Sequence, residues 1–372
     1  MTRIILLDID GVLVQPGGYR AALRATVNHF IEPDFEIDEN TLTEMERRGI
    51  SSEWDMAPLL LASYFNSILL QQPMHSLPDN VSAAAREIQR QRKADAPTHL
   101  SIPEFDLVAG QYPAETAFHA GCFSSIPYEL RKNILTQTRS VHASHTMRIF
   151  QHFTLGSENF IKTYNLPAEF ETESFLLTHD ISNIDDEIRA KLRKPDHRLA
   201  AFTARPSAPP CEVTGSTVGY APEAELALEL VKLQDIPLIA FGKLEYLASQ
   251  HSLDPATLVK PSPVQALAAT LAAWTGEEWT SLQTANHWRE TGKLNGAFGQ
   301  LPGSFELMVV EDTMGGIRST LKAGEILQQA GMDVTIRPFG LTSGNSAKAA
   351  AFQQAGIPFF ENWMSLMNEL GL

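Results

Sequence analysis

A chain of 372 residues with a formal net charge of −15 has a surface field that repels nucleic acid and anionic membranes. No nucleic-acid or membrane partner is expected, and an anionic ligand needs local help from cationic side chains or a metal. Apolar content of 44% and charged content of 20% are ordinary for a globular protein with ample core for two or three domains.

Cys122 and Cys211 have neither metal-ligand spacing nor the number that a disulfide framework needs, which fits a reducing, cytoplasmic setting. The apolar run at residues 4–7 is too short for a signal peptide and runs straight into aspartates. Residues 57–70 form the longest apolar stretch. It is interrupted by Ser63, Asn66 and Ser67, so it reads as a buried helix rather than a membrane span.

In chain order, residues 4–7 (IILL) suit a strand buried on both faces. The strand ends in Asp8, Ile9, Asp10 and Gly11. Carboxylates at i and i+2 leave a strand on the same side, so both are expected in one site, and Gly11 allows a sharp departure. After Val12 the strand pattern stops, and residues 15–194 read as mostly helical. Tyr19, Leu23, Val27 and Phe30 recur at helical spacing. Ser51 and Ser52 are candidate caps for a helix through residues 59–70, with Glu53 and Asp55 suited to its first turn. Residues 80–92 are helical, 100–112 irregular, 127–150 and 157–164 helical. Residues 182–192 form one more helix with Ser182 as its cap.

A lone strand cannot bury its faces, so the sheet must resume. It does so at residues 198–202 (RLAAF), followed by a loop rich in Pro, Gly, Ser and Thr at 206–222. A helix (223–234), a strand (237–241) and a helix (243–250) come next. Lys260 then leads through Pro261, Ser262 and Pro263 into an Ala/Leu-rich helix to Trp274. The strand 305–310 (FELMVV) ends in Glu311 and Asp312, and Gly315 and Gly316 open a helix to Ala330. A weaker strand (334–339), a helix (346–354), a strand (357–360) and a helix to Leu370 close the chain. This alternation indicates an α/β class, a doubly wound, mostly parallel, Rossmann-like sheet.

Four motifs stand at strand ends or helix starts: DIDGV at residues 8–12, AFTAR at 201–205, VKPSP at 259–263 and VVEDTMGGI at 309–317. Singly each is weak. In this order they resemble the haloacid dehalogenase (HAD) superfamily in its phosphatase-type branch, over residues 1–14 and about 196–372. The resemblance implies hydrolysis of a phosphomonoester through an aspartyl-phosphate, which splits one hard step into two. Asp8 is the implied nucleophile. Asp10 is the implied general acid and base, help typically worth about 10²–10⁴-fold. Thr203 is implied to donate a hydrogen bond to the phosphoryl group, and Lys260 to bridge Asp8 and the phosphate. The implied cofactor is Mg²⁺, a hard cation that takes oxygen ligands. Its implied ligands are Asp8, the Asp10 backbone carbonyl and Asp312, with Glu311 bound directly or through water. An acid at position 10 points to phosphate esters, since halide needs no proton.

Within the superfamily, helical sequence inserted after the first motif is a cap domain, so the resemblance divides the chain into a core (1–14 and 196–372) and an elaborated cap (15–195). Tyr19, Arg20 and Arg205 are candidate substrate contacts, with helix packing and a solvated arginine as the plainer readings. His142, His145 and His152 invite a second metal site that the chemistry does not need. Residues 275–303, with Trp279 and Trp288, form an insertion in the core, expected as a packing or oligomer surface away from the phosphate. The leading reading is a Mg²⁺-dependent phosphatase of a small phosphorylated metabolite such as a sugar phosphate. A phosphomutase of the same fold and a non-catalytic HAD-like binding protein are the alternatives. The sequence leaves the substrate and the oligomeric state open.

Overall fold

The structure, a computed structural model, describes residues 2–32, 35–74, 76–93, 100–213 and 219–370. Residues 214–218 of the expected Pro/Gly-rich loop lie outside the described residues. The chain divides into two compact units, Met1–Pro16 with Asp180–Leu372, and Gly17–His179. Among the described residues no helix is long and apolar enough to cross a membrane.

The first unit is α/β. Its strands are β1 (Arg3–Leu7), the two-residue β2 (Val14–Gln15) and β3 (Ile181–Ser182), β4 (His197–Phe202), β5 (Leu238–Ile239), β6 (Ser304–Glu311), β7 (Asp333–Leu341) and β8 (Phe359–Phe360). One six-stranded sheet runs in the order β5-β4-β1-β6-β7-β8, and each pairing is parallel. β2 and β3 form a separate antiparallel pair. Because side chains alternate along a strand, the sheet feeds two cores. Ile4, Leu6, Ala200, Phe202, Leu307 and Val309 enter one. Ile5, Leu7, Leu199, Ala201, Met308 and Val310 enter the other.

The second unit is helical: α1 (Gly18–Phe30), α2 (Glu39–Arg47), α3 (Glu53–Gln71), α4 (Val81–Gln91), α5 (Pro113–His119), α6 (Tyr128–Leu135), α7 (His145–Tyr164) and α8 (Phe175–His179). α1 packs against α3, α7 and α8 through Leu23, Val27 and Phe30 on its buried face. Residues 127–150 are not one helix. The chain leaves α6 at Thr136, Gln137 takes a left-handed φ of 56°, and Ser144 caps α7 by accepting from Met147 N–H. His142 therefore precedes α7 and shares no helical face with His145. His152 is fully buried, stacked on Phe160 and Phe170 at 4.7 and 4.1 Å, with Nε2 3.1 Å from Ser157 Oγ.

The remaining helices return to the sheet unit: α9 (Asp186–Leu192), α10 (Glu223–Leu230), α11 (Phe241–His251), α12 (Pro263–Thr275), α13 (Glu278–Thr291), α14 (Met314–Gln329), α15 (Ser346–Gln354) and α16 (Trp363–Leu370). Residues 180–195, expected in the helical insertion, group with the sheet, because Ile184, Ile188 and Leu192 join its second core. The cap of α9 is Asp185, which accepts from Ile188 N–H, while Ser182 lies in β3. β7, expected as weak, spans nine residues. In the 275–303 segment, α13 packs on α12 and buries Leu282 and Ala285 in the first core. The buried Glu278 carboxylate in its first turn accepts from Leu238 N–H at 2.8 Å and Cys211 N–H at 3.0 Å and pairs with Lys243 Nζ at 2.9 Å. It thereby fastens the edge strand β5 to the insertion.

Candidate active site

From β1 the chain steps outward to β4 and β5, and from β6 it steps the other way to β7 and β8. The reversal lies between β1 and β6, where open α/β sheets bind ligands at the carboxyl ends of their strands. Leu7 is level with Val310 on one side and Ala201 on the other. Asp8, Glu311 and Phe202 therefore stand at the same height, with Asp312 and Thr203 one residue beyond. The turn after β1 is tied down: Ile9 C=O accepts from Val12, Leu13 and Val14 N–H, and Trp363 Nε1 donates to Val12 C=O at 2.8 Å.

Lys260 joins two strand ends. Its ammonium lies 2.8 Å from Asp8 Oδ1 and 2.5 Å from Glu311 Oε1, with its side chain 9% exposed. The charge also sits 4.8 Å from the Phe202 ring centroid, a favourable cation–π distance. Gln265, fully buried in the first turn of α12, sets the position of Lys260. Its Oε1 accepts from Lys260 N–H, and its Nε2 donates to Thr203 C=O and Ile239 C=O, each at 2.9 Å. Sequence reasoning passed over Gln265; an amide five residues after a motif lysine carries no signal until the helix turns it back.

Asp8, Glu311 and Asp312 are buried, and each offers an oxygen within 4.8 Å of the others. Two glycines make this density possible. A Cβ on Gly11, whose φ is +73°, would lie 2.4 Å from Asp312 Oδ2, and one on Gly316 would lie 1.7 Å from Glu311 Oε1. Glu311 Oε2 accepts from Thr313 Oγ1 at 3.1 Å. Asp312 pairs with Lys348 Nζ, a second residue that sequence reasoning missed.

Asp10 is held by Arg205, whose Nε donates to Oδ2 at 2.9 Å and whose Nη2 donates to Oδ1 at 2.6 Å. The same Nη2 reaches Asp180 Oδ2 at 2.9 Å. With its side chain 2% exposed, Arg205 orients Asp10 rather than presenting itself to a ligand, which replaces the expected substrate contact. Asp180 had no sequence signal. Thr203 Oγ1 accepts from Arg205 N–H at 3.2 Å, and a hydroxyl that accepts keeps its own proton to donate. Tyr19 and Arg20 belong to the helical unit, where Arg20 pairs with Glu46 and meets Met56 Sδ at 3.5 Å. The structure thus brings Asp8, Asp10, Thr203, Lys260, Glu311 and Asp312 to one edge of the sheet unit.

The electrostatics are those of a site short of positive charge. Burial, then the Glu311 charge, push the Asp8 carboxyl well above its usual range, with Lys260 acting the other way; Asp312 and Asp10 add to the rise. Burial also raises Glu311 against the pull of Lys260. Burial opposes the Lys260 charge, but Asp8 and Glu311 outweigh it and hold the ammonium more firmly protonated than usual. Among the described residues, Asp8, Glu311 and Asp312 form an all-oxygen donor set that could hold a hard divalent cation.

In comparisons with known proteins, no family model, no curated protein and no solved structure matches this chain.

Proposed function

We propose that the chain is a Mg²⁺-dependent phosphomonoester hydrolase of HAD type that acts on a small phosphorylated metabolite. The observation that carries this reading is the meeting of Asp8, Lys260, Glu311 and Asp312, from three separated stretches of sequence, at the switch point of one parallel sheet. In this reading the helical unit, Gly17–His179, is the cap domain.

Asp8 attacks phosphorus, forming the new P–O bond as the bond to the leaving oxygen breaks. Lys260, anchored between Asp8 and Glu311, aims the nucleophile and supplies charge to the phosphoryl oxygens. Thr203 donates its hydroxyl proton to the same group. Asp10, oriented by the Arg205 fork, gives a proton to the leaving alkoxide and then takes one from the water that hydrolyses the aspartyl-phosphate. Asp8, Asp312 and Glu311 would hold the metal. When bound, Mg²⁺ offsets the repulsion between the Asp8 carboxylate and the phosphoryl oxygens.

The test is hydrolysis of an aryl phosphate by wild type and Asp8→Asn, with and without Mg²⁺, followed by a screen of phosphorylated metabolites. The expected result is phosphate release that needs Mg²⁺ and falls by about 10³-fold or more in the variant. Activity unchanged by Asp8→Asn would remove the nucleophile. Isomerised hexose phosphate without free phosphate would favour the mutase.

A further inference from the structure

Each acid of the site has a cation, but the three cations are not held alike. Lys260 is fixed by two carboxylates and shielded from solvent. Arg205 is fixed by Asp10 and Asp180 and is equally buried. Lys348 is different: its side chain is 33% exposed, and its partner is Asp312, one of the oxygen donors grouped with Asp8 and Glu311. The fold puts it there for a definite reason. β7 is the next strand after β6, with Gly340 level with Glu311, so the loop leaving β7 passes beside Asp312. Asn345 then caps α15, its Oδ1 accepting from Ala347 N–H at 3.0 Å and Lys348 N–H at 3.1 Å, which fixes the backbone of Lys348 in the first turn.

That position is electrostatically wrong for a lysine. A helix N-terminus carries partial positive charge, and cations are favoured at the other end. A residue that breaks a local rule is compensated elsewhere or serves a function, and here the compensation is Asp312. An ammonium on Asp312 and a divalent cation shared by Asp8, Glu311 and Asp312 compete for the same carboxylate.

We propose that Lys348 is a displaceable counterion of the metal site. It holds Asp312 in place while no metal is bound and withdraws into solvent when the cation arrives, so the site binds metal more weakly than its carboxylates alone would. The proposal rests on the metal-dependent reading given above.

The test is Mn²⁺ binding by titration calorimetry to the full chain as wild type, Lys348→Met and Lys348→Arg, with melting of each protein in metal-free buffer and in saturating Mn²⁺. Lys348→Met is expected to bind Mn²⁺ about three- to fivefold more tightly, the scale on which a partly exposed competing ion pair acts. Lys348→Arg, which keeps a cation on Asp312, should bind like wild type. Without metal the Met variant should melt below wild type, and the gap should close as Mn²⁺ saturates. Equal or weaker Mn²⁺ binding by Lys348→Met overturns the counterion role while leaving the metal site intact. A wild type that binds no Mn²⁺ overturns the metal reading itself, and the counterion role with it.

Discussion

Replacing Lys260 by methionine removes a buried cation from between two buried carboxylates. At 2.8 Å from Asp8 and 2.5 Å from Glu311, with no member of the trio more than 9% exposed, the ammonium is strongly coupled to both. One pair at 2.8 Å is worth roughly 6 kcal/mol at an effective dielectric of about 20. Desolvation cancels much of that, and removing one partner of a buried pair typically costs about 3–5 kcal/mol. Methionine has a similar volume, so little cavity cost is added. Both carboxyls already lie above their usual range through burial, and Lys260 is what restrains them. Without it they rise further. A carboxyl whose folded pKa exceeds its unfolded value binds more protons when folded, so its contribution is present below the unfolded value near 4 and is lost as pH rises through the folded one. The deficit relative to wild type should therefore be smallest below about pH 4 and grow with pH, toward about 3–5 kcal/mol near pH 8. Denaturant unfolding read by tryptophan fluorescence measures it, since Trp274, Trp279, Trp288 and Trp363 all lie in the sheet unit. A deficit below about 1 kcal/mol near pH 8, the size of an exposed pair, or one that does not change with pH, refutes the reasoning.

Gly316→Ala should destabilise the sheet unit by about 1–3 kcal/mol, because the new Cβ would displace the Glu311 carboxylate from Lys260; denaturant unfolding reads it. Glu278→Ala takes from Lys243 its nearest carboxylate, leaving it Glu225 Oε1 at 3.5 Å and Pro209 C=O at 3.2 Å, and leaves the Leu238 and Cys211 N–H groups without their acceptor; it should cost about 1–3 kcal/mol in denaturant unfolding, with Glu278→Gln, which keeps an acceptor, recovering part of it. In the helical unit, burial pulls His152 below its usual value against the pull of Glu169 and Glu171. Stability from this group is present above an unfolded pKa near 6.5 and is lost as pH falls, by at most about 1.4 kcal/mol per pH unit. Protection factors of the α7 amides, corrected for the intrinsic exchange rate at each pH, should fall on acidification in wild type, and that pH dependence should shrink in His152→Phe.

The core strands were legible because apolar runs bounded by turn residues mark a parallel sheet. Residues 4–7, 198–202 and 305–310 announce β1, β4 and β6, the three central strands. Edge strands are harder to read: β5 and β8 shrink to two residues each because an edge needs fewer paired positions. β7 reads as weak because its polar residues alternate into solvent and Pro338 sits within it, yet it pairs with β6 from Asp333 to Gly340, all but its last residue. The boundary of the helical unit was misplaced because α9 carries the same amphipathic pattern whichever core it faces. Of the site, the motif residues were legible, since each ends a strand or precedes a helix. Gln265, Asp180 and Lys348 were not, because their roles exist only after distant strand ends come together. Lys348 alone carried a local sign, a cation in the first turn of a helix.

In the proposed hydrolysis Asp8 carries the phosphoryl group as an aspartyl-phosphate. The proposed phosphoryl transfer is tested most directly by acid-quenching the protein within a single turnover of ³²P-labelled aryl phosphate and mapping the label by peptide. Label is expected on the peptide containing Asp8, released by hydroxylamine and absent from Asp8→Asn. Phosphate release with no label on the protein at any quench time, or label on another residue, contradicts it.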